Sequence, residues 1–316
     1  MLRYSPKPGG NRVPNLILHH FDWSPFAEKV RLALGFKGLA WQSVQIPMIM
    51  PKPNLMPLTG GYRKTPTLQI GADIYCDTRL IVRELERRYH EPTLFPHGSR
   101  GLSLALSHWS DTALFEPGAA LSMGLNKEVP QDVIADRKEF FKFMDFSRLS
   151  EDVPHLLTQL RANADLLAQQ LGDGRRFVWG EAPGWADITC YFPLWMTRIF
   201  VPNAVGAFEK SAHVAAWAQR LQAIGHGARS ELDPQEALNA AREATAEPGR
   251  GVDPEDPVKL NAGERVTVTP ADYGKIPVAG ELVTLELHEV AVRRTEASVG
   301  SVVTHFPRIG YRVERA

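Results

Sequence analysis

Between residues 14 and 97 the spacing of apolar positions switches repeatedly between that of a strand and that of a helix. Leu16–Phe21 (LILHHF) is a short apolar run that reads as a strand. Directly after it, Ser24–Gly35 places Phe26, Val30, Ala33 and Leu34 on one stripe, as an amphipathic helix does. Trp41–Ile46 reads as a second short strand, and Thr65–Ile70 and Asp73–Cys76 flank Gly71 as a hairpin. Asp77–Tyr89 returns to the helical period, with apolar residues at 80, 81, 82 and 85. This alternation predicts an α/β domain over 14–97.

From 100 to 246 the pattern is nearly all helical. Leu156–Gly172 ends at a glycine, a common helix stop, and Ala186–Phe200 and Val214–Ile224 are two further apolar helices. Glu247–Pro257 packs prolines, glycines and charges together and reads as a linker. Beyond it the period becomes two, in Arg265–Thr269, Leu282–His288, Val290–Arg294 and Ser301–Phe306. Short strands with turn signals between them predict a small β domain over 257–316, a closed or half-closed barrel. Residues 1–13, with two prolines and two glycines, read as a flexible leader.

Composition narrows the function classes. The 316 residues suffice for two or three domains with a sizeable core. Lys plus Arg and Asp plus Glu both number 36, so no global field invites nucleic acid or an anionic membrane. The two cysteines, Cys76 and Cys190, stand far apart in no paired motif, which suits a reducing cytosol rather than a disulfide framework or zinc knuckle. The first residues have no apolar core of signal-peptide length, and no apolar run is long enough to span a bilayer. The chain therefore reads as soluble and cytoplasmic. His19, His20, His90 and His97 have no partner at ligand spacing, so no metal site is expected. Gly60–Gly61 is not a phosphate loop, since no strand feeds it and no Lys-Ser/Thr follows in register.

The chemistry gathers at Ser24. Serine is a strong helix N-cap, and Pro25 fits the first helical position because no N–H is needed there. Ala27 stands where a capping box would have Glu or Gln. Ser24 can be a cap alone. It can also be part of an anion site, because a helix N-terminus carries N–H groups and partial positive charge that lower the pKa of a thiol placed there. This segment has no cysteine, so such a thiol would come from a ligand.

Taken in order, the first strand, SPFAEKVRLAL (Ser24–Leu34), RKTPTLQIG (Arg63–Gly71) and DIYCDTRLI (Asp73–Ile81) resemble the thioredoxin-fold domain of cytosolic glutathione transferases over roughly residues 15–90. The serine before Pro-Phe is closest to the tau and omega classes. The resemblance implies a thioredoxin-like α/β domain followed by an all-α helical bundle, with the small all-β barrel-like domain as an addition. It implies that Ser24 activates the thiol of glutathione, with Phe26 among the contacts. Pro66 would be cis, leaving the Thr65 backbone to pair with the cysteinyl backbone of the tripeptide. Lys64 would meet the glycyl carboxylate, and Asp77 and Thr78 the γ-glutamyl end. Each match makes chemical sense, since glutathione offers two carboxylates, an ammonium and a thiol. Two departures matter. The usual Glu-Ser pair is Asp-Thr here, and serine in place of an omega-type cysteine favours thiolate stabilisation over thiol–disulfide exchange.

In the second domain, GWADITCYF (Gly184–Phe192) resembles the family's buried helix start, with Asp187 reaching back to the N–H groups at Gly184 as a folding residue. Trp109 and Phe115 are the candidates for the wall of the second substrate's site, while Phe140, Phe141 and Phe143 read as core. VTPADYG (Val268–Gly274) and THFPRIGY (Thr304–Tyr311) look like landmarks of the β domain, and nothing in them argues chemistry. The expected function is a glutathione transferase that attacks an electrophilic apolar substrate, with glutathione as co-substrate and a homodimer as the family's usual assembly. The alternatives are a glutathione-dependent isomerase or peroxidase, and a non-catalytic regulatory or binding protein of the same fold.

Overall fold

The computed structural model describes residues 15–208 and 210–316; the leader expected over 1–13 lies outside them. Strand β1 (Leu16–His20) is buried at every position because it is central, parallel to β2 (Ala40–Gln45) on one side and antiparallel to β3 (Thr67–Ile70) on the other. Helix α1 (Pro25–Phe36) connects β1 to β2, and the short α2 (Met56–Thr59) precedes β3. Strand β4 (Asp73–Cys76) follows β3 through a turn at Gly71, whose φ of 61° is the left-handed region glycine tolerates. Helix α3 (Thr78–Arg88) completes a thioredoxin-like domain.

The all-helical region begins with α4 (Arg100–Trp109), a π-helical turn at Ser110–Leu114, and α5 (Phe115–Leu125). It continues with α6 (Gln131–Phe140), α7 (Leu149–Gln170), α8 (Trp185–Phe200), α9 (Val205–Phe208) and α10 (Ala212–Gln222). The α7 helix starts seven residues before the expected Leu156 and carries Pro154 in its second turn. One core joins the two domains: Val30 and Leu34 of α1 and Ile81 and Leu85 of α3 pack with Leu167, Trp185, Ile188 and Trp217.

Asp187 fixes the start of α8. Its Oδ2 accepts from the Gly184 N–H at 2.9 Å, and its Oδ1 from the Val178 N–H and the Trp217 Nε1–H, both at 2.8 Å. A serine or threonine at 184 has no room: a Cβ there would lie 2.7 Å from Pro96 Cδ and 2.8 Å from the Leu94 carbonyl oxygen. The Asp187 N–H donates instead to the Gly184 carbonyl, at 3.1 Å.

After β5 (Ala228–Glu231), which pairs with β2, and α11 (Pro234–Glu243), the chain enters the β region. The expected linker is fastened rather than loose. Its Gly251–Val252 (β6) pairs with the end of β8 (Val278–Leu285), and Arg250 pairs with Glu286 at 2.9 Å and with Glu289. Strands β7 (Arg265–Pro270), β8, β9 (Glu289–Glu296) and β10 (Gly300–Pro307) run antiparallel in sequence order, and β11 (Tyr311–Arg315) returns to pair with β7. These strands do not stand apart. Strand β10 lies parallel to β4, so a single sheet runs from β11 to β5. An edge strand exposes unpaired backbone groups, and β10 covers those of β4. His305 pins the junction: Nε2 meets Asp73 at 2.9 Å, Nδ1 meets Glu289 at 2.8 Å, and the ring stacks on Tyr75. Among the described residues, no helix is long and apolar enough to cross a membrane.

Candidate active site

Local chain geometry builds the Ser24 end. The Ser24 N–H donates to the Phe21 carbonyl at 3.0 Å, closing the turn that leaves β1. Ser24 is extended (φ −74°, ψ 118°), and its Oγ accepts from the Ala27 N–H at 3.2 Å, so the cap is real. A serine oxygen that accepts still has its own O–H to give. The side chain is 3% exposed and lines a cavity of about 270 Å³. Behind it, Arg31 binds Glu28 at 2.7 Å and the Asp22 carbonyl at 2.9 Å, holding the turn against the helix. Arg31 also donates to His20 Nδ1 at 3.1 Å, leaving Nε2 to donate to Ser43. Burial, and then the Arg31 charge, lower His20 to about 3, so it stays neutral at pH 7. Burial likewise lowers His19 to about 4. Neither histidine is poised as a base.

Ser24, Phe26, Lys64, Thr65 and Phe115 line this one cavity together. Phe26 and Phe115 meet edge to face at 4.7 Å, and both contact Phe192. The Thr65–Pro66 bond is cis. Pro66, Asp77 and Thr78 do not line the cavity. Trp109 is half-buried against the main core and does not line this cavity.

Lys64 and Asp77, expected at the two charged ends of the ligand, already have partners within the chain. Lys64 Nζ lies 2.5 Å from Asp272 and 4.1 Å from the centre of the Tyr273 ring. Asp77 is the N-cap of α3, accepting from the Arg79 N–H at 2.9 Å, and its carboxylate is also held by the Arg79 guanidinium at 2.9 and 3.1 Å. Burial raises the Asp77 carboxyl, but the charge and hydrogen bonds of Arg79 outweigh it and hold it at about 2. The Tyr311 hydroxyl donates to Asp77 at 3.2 Å and lies 3.1 Å from that of Tyr62. Asp272 and Tyr273 sit in the loop between β7 and β8, and Tyr311 opens β11. The β region thus reaches the cavity through Asp272 and Tyr273.

Several cavity residues were not expected. Tyr273 packs its ring on Phe140, Phe141 and Phe143 at 5.1–5.8 Å. Phe140 and Phe141, read as core, face the cavity. Lys52, Arg63 and Arg137 also line it. Lys52 stands between two prolines in sequence, and that setting alone gives no signal of burial.

Residues 18–93 match the family model of the glutathione S-transferase N-terminal domain, and residues 131–224 that of the C-terminal domain. The crystal structure of a GST-like protein from Pseudomonas syringae is 38% identical, with a TM-score of 0.79, over 96% of this chain and 100% of that one. The chain belongs to the glutathione S-transferase family. The match of 96% takes in most of the β region, so this transferase-family chain shares that addition with the Pseudomonas protein. Two more distant matches show the fold alone. The tau-class glutathione S-transferase of mango is 17% identical, with a TM-score of 0.53, over 66% of this chain and 89% of that one. Rice GST1, solved in complex with glutathione, is 19% identical, with a TM-score of 0.51, over 71% of this chain and 92% of that one. No curated protein matches this chain.

Proposed function

We propose that this transferase-family chain binds glutathione with its sulfur at Ser24 and transfers it, as the thiolate, to an electrophile in the apolar part of the cavity. One observation carries the reading: a capped, buried serine at the N-terminus of α1 opens onto the same cavity as Thr65 of the cis-proline loop. The Ser24 O–H donates to the sulfur, and the helix N-terminus adds partial positive charge. Both favour the thiolate over the thiol, whose proton leaves to solvent. The sulfur then forms a bond to the electrophilic carbon, and the leaving group departs with its electron pair. Thr65 offers backbone to the tripeptide. Phe26 and Phe115 form the apolar wall.

The test is conjugation of glutathione to an activated chloroarene by the wild-type chain and by Ser24→Ala. A charge-assisted hydrogen bond is worth about 1.5–3 kcal/mol, so kcat/KM falls by about 10–100-fold in the variant. Equal rates would sink the role given to Ser24.

A second reading has an observation of its own. Lys64 and Asp77, assigned to the two ends of glutathione, already have partners within the chain. A chain whose β region kept them closed would be a binding or regulatory protein, with glutathione weakly held or absent. Calorimetric titration with glutathione separates the two readings.

A further inference from the structure

Tyr273 enters the cavity from the loop between β7 and β8, and its ring is held in place. The next residue, Gly274, has a φ of 57°, and a Cβ there would collide with the Phe140 ring. The turn that presents Tyr273 therefore needs glycine for its conformation and for room. Phe140, Phe141 and Phe143 meet the Tyr273 ring edge to face, and the Lys64 ammonium lies 4.1 Å from its centre. Phe141 and Phe143 each meet Phe115 at 6.2 Å, and Phe115 meets Phe26 at 4.7 Å. Tyr273 thus continues the aromatic wall that starts beside Ser24.

Its hydroxyl is the unused group of that wall. A packed tyrosine ordinarily gives its O–H to a partner. That of Tyr273 makes no hydrogen bond among the described residues, and it is not one of the sealed polar atoms of the interior. The other hydroxyls of the lining are engaged: Ser24 accepts from Ala27, Thr65 accepts from Lys52 at 3.1 Å, and Ser122 donates to the Gly118 carbonyl at 2.8 Å. Burial, then the charges of Asp272, Asp111 and Asp77, raise the Tyr273 phenol well above its ordinary value. It keeps its proton at neutral pH and offers a hydrogen bond rather than a charge.

We propose that Tyr273 is a catalytic residue supplied by the β region: its O–H donates to the carbonyl oxygen of the second substrate, an α,β-unsaturated carbonyl compound whose apolar body lies on Phe115 and Phe141. The glutathione sulfur forms a bond to the β-carbon, and the electron pair of the C=C bond moves toward the carbonyl oxygen as an enolate. Water then gives a proton to the α-carbon, and no group leaves. Negative charge grows on the oxygen during the first step, so a donor already aimed there binds the transition state more strongly than the ground state. A phenol that keeps its proton suits this step, because the proton that ends the addition goes to carbon. The proposal rests on the transferase reading and names its substrate class.

The test compares two electrophiles with the same phenyl body, benzylideneacetone and benzyl chloride, in the wild-type chain and in Tyr273→Phe, beside calorimetric titration with glutathione. The variant keeps the ring and its packing. Its kcat/KM for the enone falls about 10–100-fold, as loss of a hydrogen bond to a charged oxygen predicts, while that for the chloride, whose charge departs on chloride, stays within about twofold. Glutathione affinity is unchanged. An unchanged enone rate, or an equal fall on both electrophiles, overturns the proposal, because Tyr273 would then only shape the wall. Weaker glutathione binding in the variant also overturns it, because the hydroxyl would serve the tripeptide. A wild-type chain that conjugates the chloride and not the enone ends the proposal and leaves the transferase reading in place, whereas one that conjugates neither ends both.

Discussion

The two ends of the candidate site are built in opposite ways. At the sulfur end, every contact of Ser24 that fixes its geometry lies within a few residues: Phe21, Ala27 and Glu28. At the charged ends, Lys64 meets Asp272 and Asp77 meets Tyr311, partners 208 and 234 residues away. The first end is a property of a turn and a helix. The second adds, to the local hold of Arg79 on Asp77, partners that arrive only because β10 pairs with β4 and carries a whole sheet to the site. The difference shows how an added β region can act on a pocket without supplying any of its motif residues.

The largest effect comes from a residue behind the sulfur end. Helix α8 packs behind α1, where Phe192 meets Phe26, and Asp187 starts that helix. Asp187→Ala leaves three buried donors without an acceptor, so stability falls by about 3–5 kcal/mol. Chemical denaturation measures it, and a loss under about 1 kcal/mol would mean the three bonds do not hold α8.

Breaking the distant end alone requires the junction. Burial lowers the His305 imidazolium, but hydrogen bonds to Asp73 and Glu289 outweigh it, and its pKa rises above the ordinary value. A raised histidine gives its full stabilisation below the unfolded value of about 6.5 and loses it as the pH climbs through the folded value. Glu289 is lowered despite its burial, chiefly by His305, so its share is present above the usual carboxylate value and lost in acid. Denaturation midpoints should therefore fall from about pH 6.5 upward, and His305→Leu should flatten that slope. A slope unchanged in the variant would remove His305 from the account.

The smallest change sharpens the contrast most. Asp272 is half exposed, so its pairing with Lys64 contributes about 1 kcal/mol or less. If it competes with a ligand carboxylate, Asp272→Asn tightens glutathione binding by up to about fivefold. Weaker binding would instead make the loop a support for the ligand.

The same contrast explains what was legible in the chain itself. A cap and a proline at the first helical position are local signals, and Ser24 and Pro25 follow them, while α1 runs to Phe36 and is buried at every position from Ala27 to Leu34 rather than along one stripe. The cis Thr65–Pro66 bond and the Asp77 cap also sit where the motif order put them. The strands of the β region were visible in their period of two. Their destination was not, because nothing in the alternation of Ser301–Phe306 says that its partner is Asp73–Cys76. Asp272 and Tyr273 were unreadable as site residues for that reason. Trp109 packs against the main core while Phe115 lines the cavity, a difference of place that residue type alone does not carry.

The proposed role of Ser24 and the α1 N-terminus is to hold a ligand thiolate. The direct measurement is the ultraviolet thiolate absorbance of bound glutathione, titrated with pH in the wild-type chain and in Ser24→Ala. The account predicts a bound thiol at least about one unit below the free value of about 8.5, worth about 1.4 kcal/mol, and a return toward that value in the variant. Bound glutathione that titrates at the free value in both proteins would contradict it.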